Sequence, residues 1–486
     1  MAEPNPLQIA LLILVVIMVF NLIIFVHELG HFWAAKWRGL KIDRFQIWFG
    51  KPIWSKSING VQYGLGWIPA GGFVALPQMA PMEAIEGQNR EDEDPLPAIS
   101  PLDKIIVAFA GPLFSFLLAL AAAVIITIVG KPVDVIKTTT VGWVQKDSPA
   151  EDAGFQRGDR ILSIEGNPVD NWNLPLDSVF MNVVTSKGKD IEFVVDRPGV
   201  GEKTLISKFD IPESKWWERR KTRQVGLIPM APEGPIAITE VVDDENAPAR
   251  LAGFKAGDVL TEMDGQEVVQ LEQVFEAIAL SEGKSIEFKV QRGEEELMIS
   301  VSPTQPVAVN PDTELPDQKF MIGAIFGDAP SPAVREWRKP GPIQQIKDTV
   351  RTMWITITTV ASPDSSIGIQ HLSGPVGIGK LQYYTLLMDF PWHRMLGFMV
   401  LININLAILN MLPFPVLDGG HITIATMEAI ARRPVNFKLL EMVQLAFVFI
   451  LFGIMLYVTT KDIPDKFGMG GGEEPVETAF PPATTE

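Results

Sequence analysis

The sequence predicts a polytopic α-helical membrane protein of about four transmembrane helices, joined to a membrane-associated β-element and two extracytoplasmic α+β domains. Three observations carry that expectation. Four stretches are apolar over close to the roughly 20 residues that a bilayer requires: Leu7 to Val26, Ile105 to Val129, Met395 to Leu412 and Val443 to Val458. A glycine-rich apolar run, residues 61–76, is too broken by Pro69 and Gly71-Gly72 to be a spanning helix. The long segment between the second and third apolar stretches also repeats itself.

Composition sets the outer bounds. A chain of 486 residues with 47% hydrophobic content and several acidic stretches divides into membrane and aqueous parts. It has no cysteine, so any metal must be held by His, Asp or Glu, and there are only five histidines. A net charge of -17 argues against nucleic acid as a partner, because counterion release needs a basic face.

The first apolar stretch has no Lys or Arg ahead of it and no small-residue cleavage pattern after it, and is expected to be a retained transmembrane helix (residues 1–37). It ends in His27-Glu28-Leu29-Gly30-His31, an H-E-x-x-H pattern. On a helix, residues four apart share a face, so His27 and His31 can offer ring nitrogens to one zinc ion. Glu28 then reaches the ion's water as general base. The pattern alone occurs on many unrelated soluble helices. Two imidazoles and a carboxylate beside lipid, however, are costly to bury and mark a functional site.

Residues 38–100 follow as a β-element and an acidic loop. Lys36, Arg38, Lys41, Arg44, Lys51 and Lys56 crowd the start of this region, and Arg432, Arg433 and Lys438 lie between the last two apolar stretches. The positive-inside rule makes both loops cytoplasmic, which leaves the N-terminus, the central region and the C-terminal tail outside. Residues 61–76 read as β-structure against the membrane part, and the acidic, proline-bearing stretch Met82 to Ser100 as a mobile cytoplasmic loop.

After the second helix (101–131) the repeat begins. Gly154-Phe155-Gln156-Arg157-Gly158-Asp159 is matched by Gly253-Phe254-Lys255-Ala256-Gly257-Asp258, and Ile164-Glu165-Gly166 by Met263-Asp264-Gly265. Ser148-Pro149-Ala150 and Ala247-Pro248-Ala249 correspond in the same way, and each copy runs on into a β-patterned segment. The pattern resembles the PDZ signature in its circularly permuted bacterial form, with domains expected at 132–226 and 227–305. The glycines suit tight turns, and Asp159 and Asp258 can cap backbone donors. PDZ domains take extended peptides on a sheet edge, so peptide ligands are possible partners; an occluded groove acting only as a lid is the alternative.

Residues 306–392 are expected to hold a proline-rich linker and an amphipathic helix, Pro342 to about Val360. Its apolar residues Ile343, Ile346, Val350, Met353, Trp354 and Ile357 suit the membrane interface or packing on the repeat domains. The third helix region (393–435), the fourth helix (436–460) and a disordered acidic tail (461–486) complete the chain. A catalytic zinc needs a third protein ligand. Asp418, in Leu417-Asp418-Gly419-Gly420-His421 at the end of the third helix, is preferred because the following glycines free the backbone. His421 is its rival, and His371 and His393 read as interfacial residues.

Taken in order, these motifs resemble the site-2 protease family, in its bacterial regulator-of-sigma-E protease branch. The resemblance rests on H-E-L-G-H, Ile68-Pro69-Ala70-Gly71-Gly72-Phe73-Val74, Ala110-Gly111-Pro112, Ser373-Gly374-Pro375-Val376-Gly377-Ile378, the run from Asn410 to His421 and the tandem repeat. It implies a zinc-dependent intramembrane endopeptidase of the bacterial cytoplasmic membrane, cutting single-pass membrane proteins already trimmed outside, with the PDZ pair as a size filter. It further implies that His27, His31 and Asp418 ligate one Zn2+ and that Glu28 activates water. Asn410 would hold the substrate backbone or the oxyanion, and Pro69, Gly71, Gly72, Phe73 and Val74 would belong to a reentrant β-element that pairs with unwound substrate. The alternative is a non-catalytic PDZ-bearing scaffold or zinc-handling membrane protein. Ser115 stands where the family pattern has Asn, a departure expected to leave the zinc site untouched.

Overall fold

The structure, a computed structural model, describes residues 5–79, 99–214, 218–308, 319–327, 331–432, 435, 437–463 and 478–481. Most of the expected acidic loop, residues 82–100, lies outside the described residues.

Asn5 opens the first helix. Its side chain accepts the Gln8 N–H at 2.9 Å while the Gln8 side chain accepts the Asn5 N–H at 2.8 Å. The helix then runs Pro6–Arg38, well past the apolar run, so that its 33 residues span about 50 Å. Among the described residues four helices are long and apolar enough to cross a membrane: Pro6–Arg38, Pro101–Val129, Pro391–Asn410 and Leu440–Asp462. The third apolar stretch, short in sequence, gains a turn at its start, and the fourth is extended at both ends.

The helices meet along a stripe of small residues. Ala119, Ala122, Ala123 and Ile126 of the second helix are buried against Ile23 of the first and Met399, Val400 and Ile404 of the third. Alanines let the backbones approach, which is where helix association in lipid finds its van der Waals energy. The amphipathic helix Pro342–Val360 joins this core through Ile346 and through Gln345, whose Nε2 donates to Ala123 O at 3.0 Å. Ile343 and Trp354 stay two-thirds exposed, and Arg351 forms a two-pronged ion pair with Asp177 of the first repeat unit.

The β-element is larger than sequence suggests. Arg44–Ile58 pairs antiparallel with Val61–Ala75, and both strands fold back, so that Phe45 lies between Tyr63 on one side and Val74 on the other. Residues 72–75 therefore form an edge. The basic charges of residues 36–56 mask the partner strand, whose distal half is exposed and lacks a buried face.

The two repeat units have matching cores, centred on Phe155 against Phe193 and Phe254 against Phe288. Strand pairing runs across their expected boundaries. Leu227–Pro229 pairs with Val141–Val144 and so closes the first unit, and Ala324–Phe326 pairs with Ile236–Val241 to close the second. A three-residue strand far from its partner leaves no periodicity to read. The strands on either side of the repeat, Lys131–Ile136 and Ala333–Arg338, pair with each other, so the chain leaves and rejoins the helices through one ribbon.

Two further regions hold elements that sequence reading does not show. The region taken as linker contains an additional helix, Pro375–Leu387. Within the expected tail, the fourth helix runs to Asp462, and Thr478–Ala479 pairs with Val307–Ala308 of the second unit, burying Phe480 beside Gly323, while residues 464–477 and 482–486 lie outside the described residues.

Candidate active site

The H-E-x-x-H turn sits on the first helix where it crosses the second. Gly30 makes the crossing possible, since a Cβ there would lie 2.3 Å from Ala110 O. Gly111 makes the reciprocal space: its Cβ would fall 2.2 Å from His31 Nε2 and 2.9 Å from His27 Nε2. The glycines of the two motifs thus interlock, and the imidazoles lie directly on the second helix.

The second helix also holds their far sides. Val107 O accepts from His31 Nδ1 at 2.8 Å, and Ser115 Oγ lies 3.0 Å from His27 Nδ1. The expectation that Ser115 leaves the metal site untouched is therefore wrong. Its hydroxyl, with no exposed surface, touches an expected ligand, because four-residue spacing puts it on the helix face that carries Gly111.

Asp418 closes the site, though not from the end of the third helix. That helix stops at Asn410; the chain turns, and Asp418 begins a separate helix, Asp418–Ala431. The glycines that follow act by absence of bulk, not by unusual backbone angles. A Cβ on Gly419 would meet Met411 O at 2.3 Å, and one on Gly420 would meet Phe414 O at 2.0 Å. The Lys104–Glu428 ion pair, 2.8 Å, ties the new helix to the start of the second. Asp418 Oδ2 then lies 3.3 Å from His27 Nε2 and Oδ1 3.3 Å from His31 Nε2.

Three ligand atoms, one from each of His27, His31 and Asp418, fall within 4.8 Å of one another. Two imidazole nitrogens and a carboxylate oxygen, converging on one point, match the donor set of a catalytic zinc with room for a further position. They open on a cavity of about 270 Å³ that is also lined by Glu28, Gly72, Phe73, Val74, Asn410 and His421. Asn410 Nδ2 approaches His27 Nε2 at 3.4 Å. Gly72 lies against Glu28, where a Cβ would sit 3.6 Å from its Cγ.

Not every expected residue converges. Pro69 is exposed, and Gly71 backs onto the Phe49 ring. His421 lines the cavity but stands outside the three-atom cluster. His371 is bound to Arg220 O at 2.7 Å, and His393 packs on Trp337. Sequence reading missed Gly111 and Ser115 as neighbours of the ligands, although their spacing from each other was available.

A sequence model of peptidase family M50 matches residues 15–454. The chain belongs to peptidase family M50. This M50 peptidase is 28% identical over 470 residues to the "Putative zinc metalloprotease" of Vibrio cholerae serotype O1, covering 92% of this chain and 97% of that one. It is 27% identical over 440 residues to the regulator of sigma-E protease RseP of Escherichia coli K12, covering 86% and 91%. It is 28% identical over 448 residues to the regulator of sigma E protease of Haemophilus influenzae, covering 86% and 91%.

Proposed function

We propose that this M50 peptidase is a zinc-dependent endopeptidase that cuts peptide bonds within the membrane-spanning segments of single-pass proteins. One observation carries the reading: the convergence of His27, His31 and Asp418 beside Glu28, between apolar helices and next to the strand edge at residues 72–75. When bound, zinc supplies a Lewis acid that polarises the scissile carbonyl and brings the pKa of a water to about 7.

The remaining work falls to side chains and backbone. Glu28 takes the proton from the attacking water and returns it to the departing nitrogen. Asn410 offers an amide N–H to the substrate carbonyl oxygen as charge builds on it. A transmembrane helix protects its peptide bonds with internal hydrogen bonds, so the substrate must unwind. The edge at 72–75 offers replacement partners through strand addition.

The reading extends to orientation. Basic residues at 36–56 and 432–438 favour a cytoplasmic location for that side of an inner-membrane protein, with the termini and the two repeat units outside. We read those units as PDZ domains that filter substrates already trimmed by another protease. The test is purified Glu28→Gln protein, loaded with zinc and offered a membrane-spanning substrate. Zinc retained with cleavage lost supports the reading, and turnover at the parent rate overturns it.

A further inference from the structure

Val107, Gly111 and Ser115 recur every four residues and form one stripe along the second helix. Each meets the H-E-x-x-H turn differently. Val107 presents a main-chain carbonyl to His31 Nδ1, Gly111 leaves space for both rings, and Ser115 presents a hydroxyl to His27 Nδ1. A carbonyl can only accept, so His31 carries its proton on Nδ1 and keeps the Nε2 lone pair free. No side-chain substitution removes that partner.

His27 is held otherwise. Its Nε2 is turned toward Asp418 Oδ2 at 3.3 Å, while Nδ1 meets Ser115 Oγ, a wholly buried side chain. Building on the reading of His27, His31 and Asp418 as zinc ligands, we propose that Ser115 is a positioning residue for His27. Its Oγ accepts the Nδ1–H, which fixes the ring's rotation and leaves the Nε2 lone pair directed at the ion. Without it, the Nδ1–H faces a buried site with no acceptor, and the ring gains by turning or by moving its proton to Nε2, where it blocks ligation.

Partners of this kind set metal affinity by about 10- to 100-fold. The test measures zinc affinity by chelator competition in the full-length protein, for the parent, Ser115→Ala and Ser115→Thr. The expected result is a loss of about 10- to 100-fold in Ser115→Ala, with Ser115→Thr, which keeps the hydroxyl, within about threefold of the parent. Parent-like affinity in Ser115→Ala overturns the proposal. So does an equal loss in both variants, which would make packing the cause. A parent protein that takes up no zinc overturns the ligand reading itself and this role with it, so the two failures are distinguishable.

Discussion

Gly111 and His31 approach so closely that a methyl group on Gly111 would fall 2.2 Å from His31 Nε2. The obstruction lies on the ligating nitrogen itself, and the second helix can retreat only by opening the close Gly30–Ala110 O contact. Gly111→Ala is therefore expected to displace His31, to lose zinc from the purified protein and to lower cleavage by about 100-fold or more, the cost of a misplacement near 1 Å. Metal analysis of the folded variant checks this. A full zinc complement with parent activity would show that the helices can part to make room.

That contact also marks where sequence reading stops. The four apolar helices and the H-E-x-x-H turn were legible because hydrophobic runs and i, i+4 spacing are local properties. The tandem repeat was legible because the two copies share one pattern. Asp418 is expected from sequence at the end of a helix, whereas it starts a new one, and its glycines serve close approach. Ser115 and Gly111 act through the crossing of two helices, and no local pattern encodes that crossing. The β-strand Arg44–Ile58 was hidden by its lysines, and Asp462 by lying where composition suggests only tail.

Asp462 explains the glycines of Ser373-Gly374-Pro375-Val376-Gly377-Ile378. Its fully buried carboxylate accepts the Gly374 and Gly377 N–H groups at 2.9 Å each, at the start of helix Pro375–Leu387, and pairs with Arg219 from the segment that follows the first repeat unit's Gly201–Ser207 strand. Cβ atoms at Gly374 and Gly377 would come within 3.0 Å of its oxygens. One carboxylate thus joins the fourth helix, the added helix and the first unit. Asp462→Ala leaves a guanidinium and two helix-start N–H groups without it. The expected loss is about 3 kcal/mol or more, the usual result of removing one member of a buried pair. Thermal unfolding in detergent reads it, and an unchanged midpoint would mean that water replaces the carboxylate without penalty.

The second repeat unit carries a comparable lock with a pH signature. Asp258 is fully buried and accepts from Arg292 Nε and Nη2 at 2.6 and 2.7 Å and from Lys255 N–H at 2.8 Å. Burial pushes its pKa up, but the hydrogen bonds from Arg292 and the Lys255 N–H, together with the Arg292 charge, outweigh it and hold the group below the ordinary carboxylate value. A folded pKa below the unfolded value, about 3.9, means that unfolding takes up a proton. The stabilisation is therefore complete above about pH 4 to 5 and is lost as pH falls through the folded pKa. Asp258→Ala is expected to lower the unit's stability at neutral pH by about 2–3 kcal/mol, somewhat less than the usual cost of breaking a buried pair because Arg292 is partly exposed. The variant should also flatten the stability curve below about pH 4, where the parent falls steeply. Denaturant unfolding of parent and variant at a series of acidic pH values measures both effects. Parallel curves throughout would assign the acid sensitivity to other carboxylates.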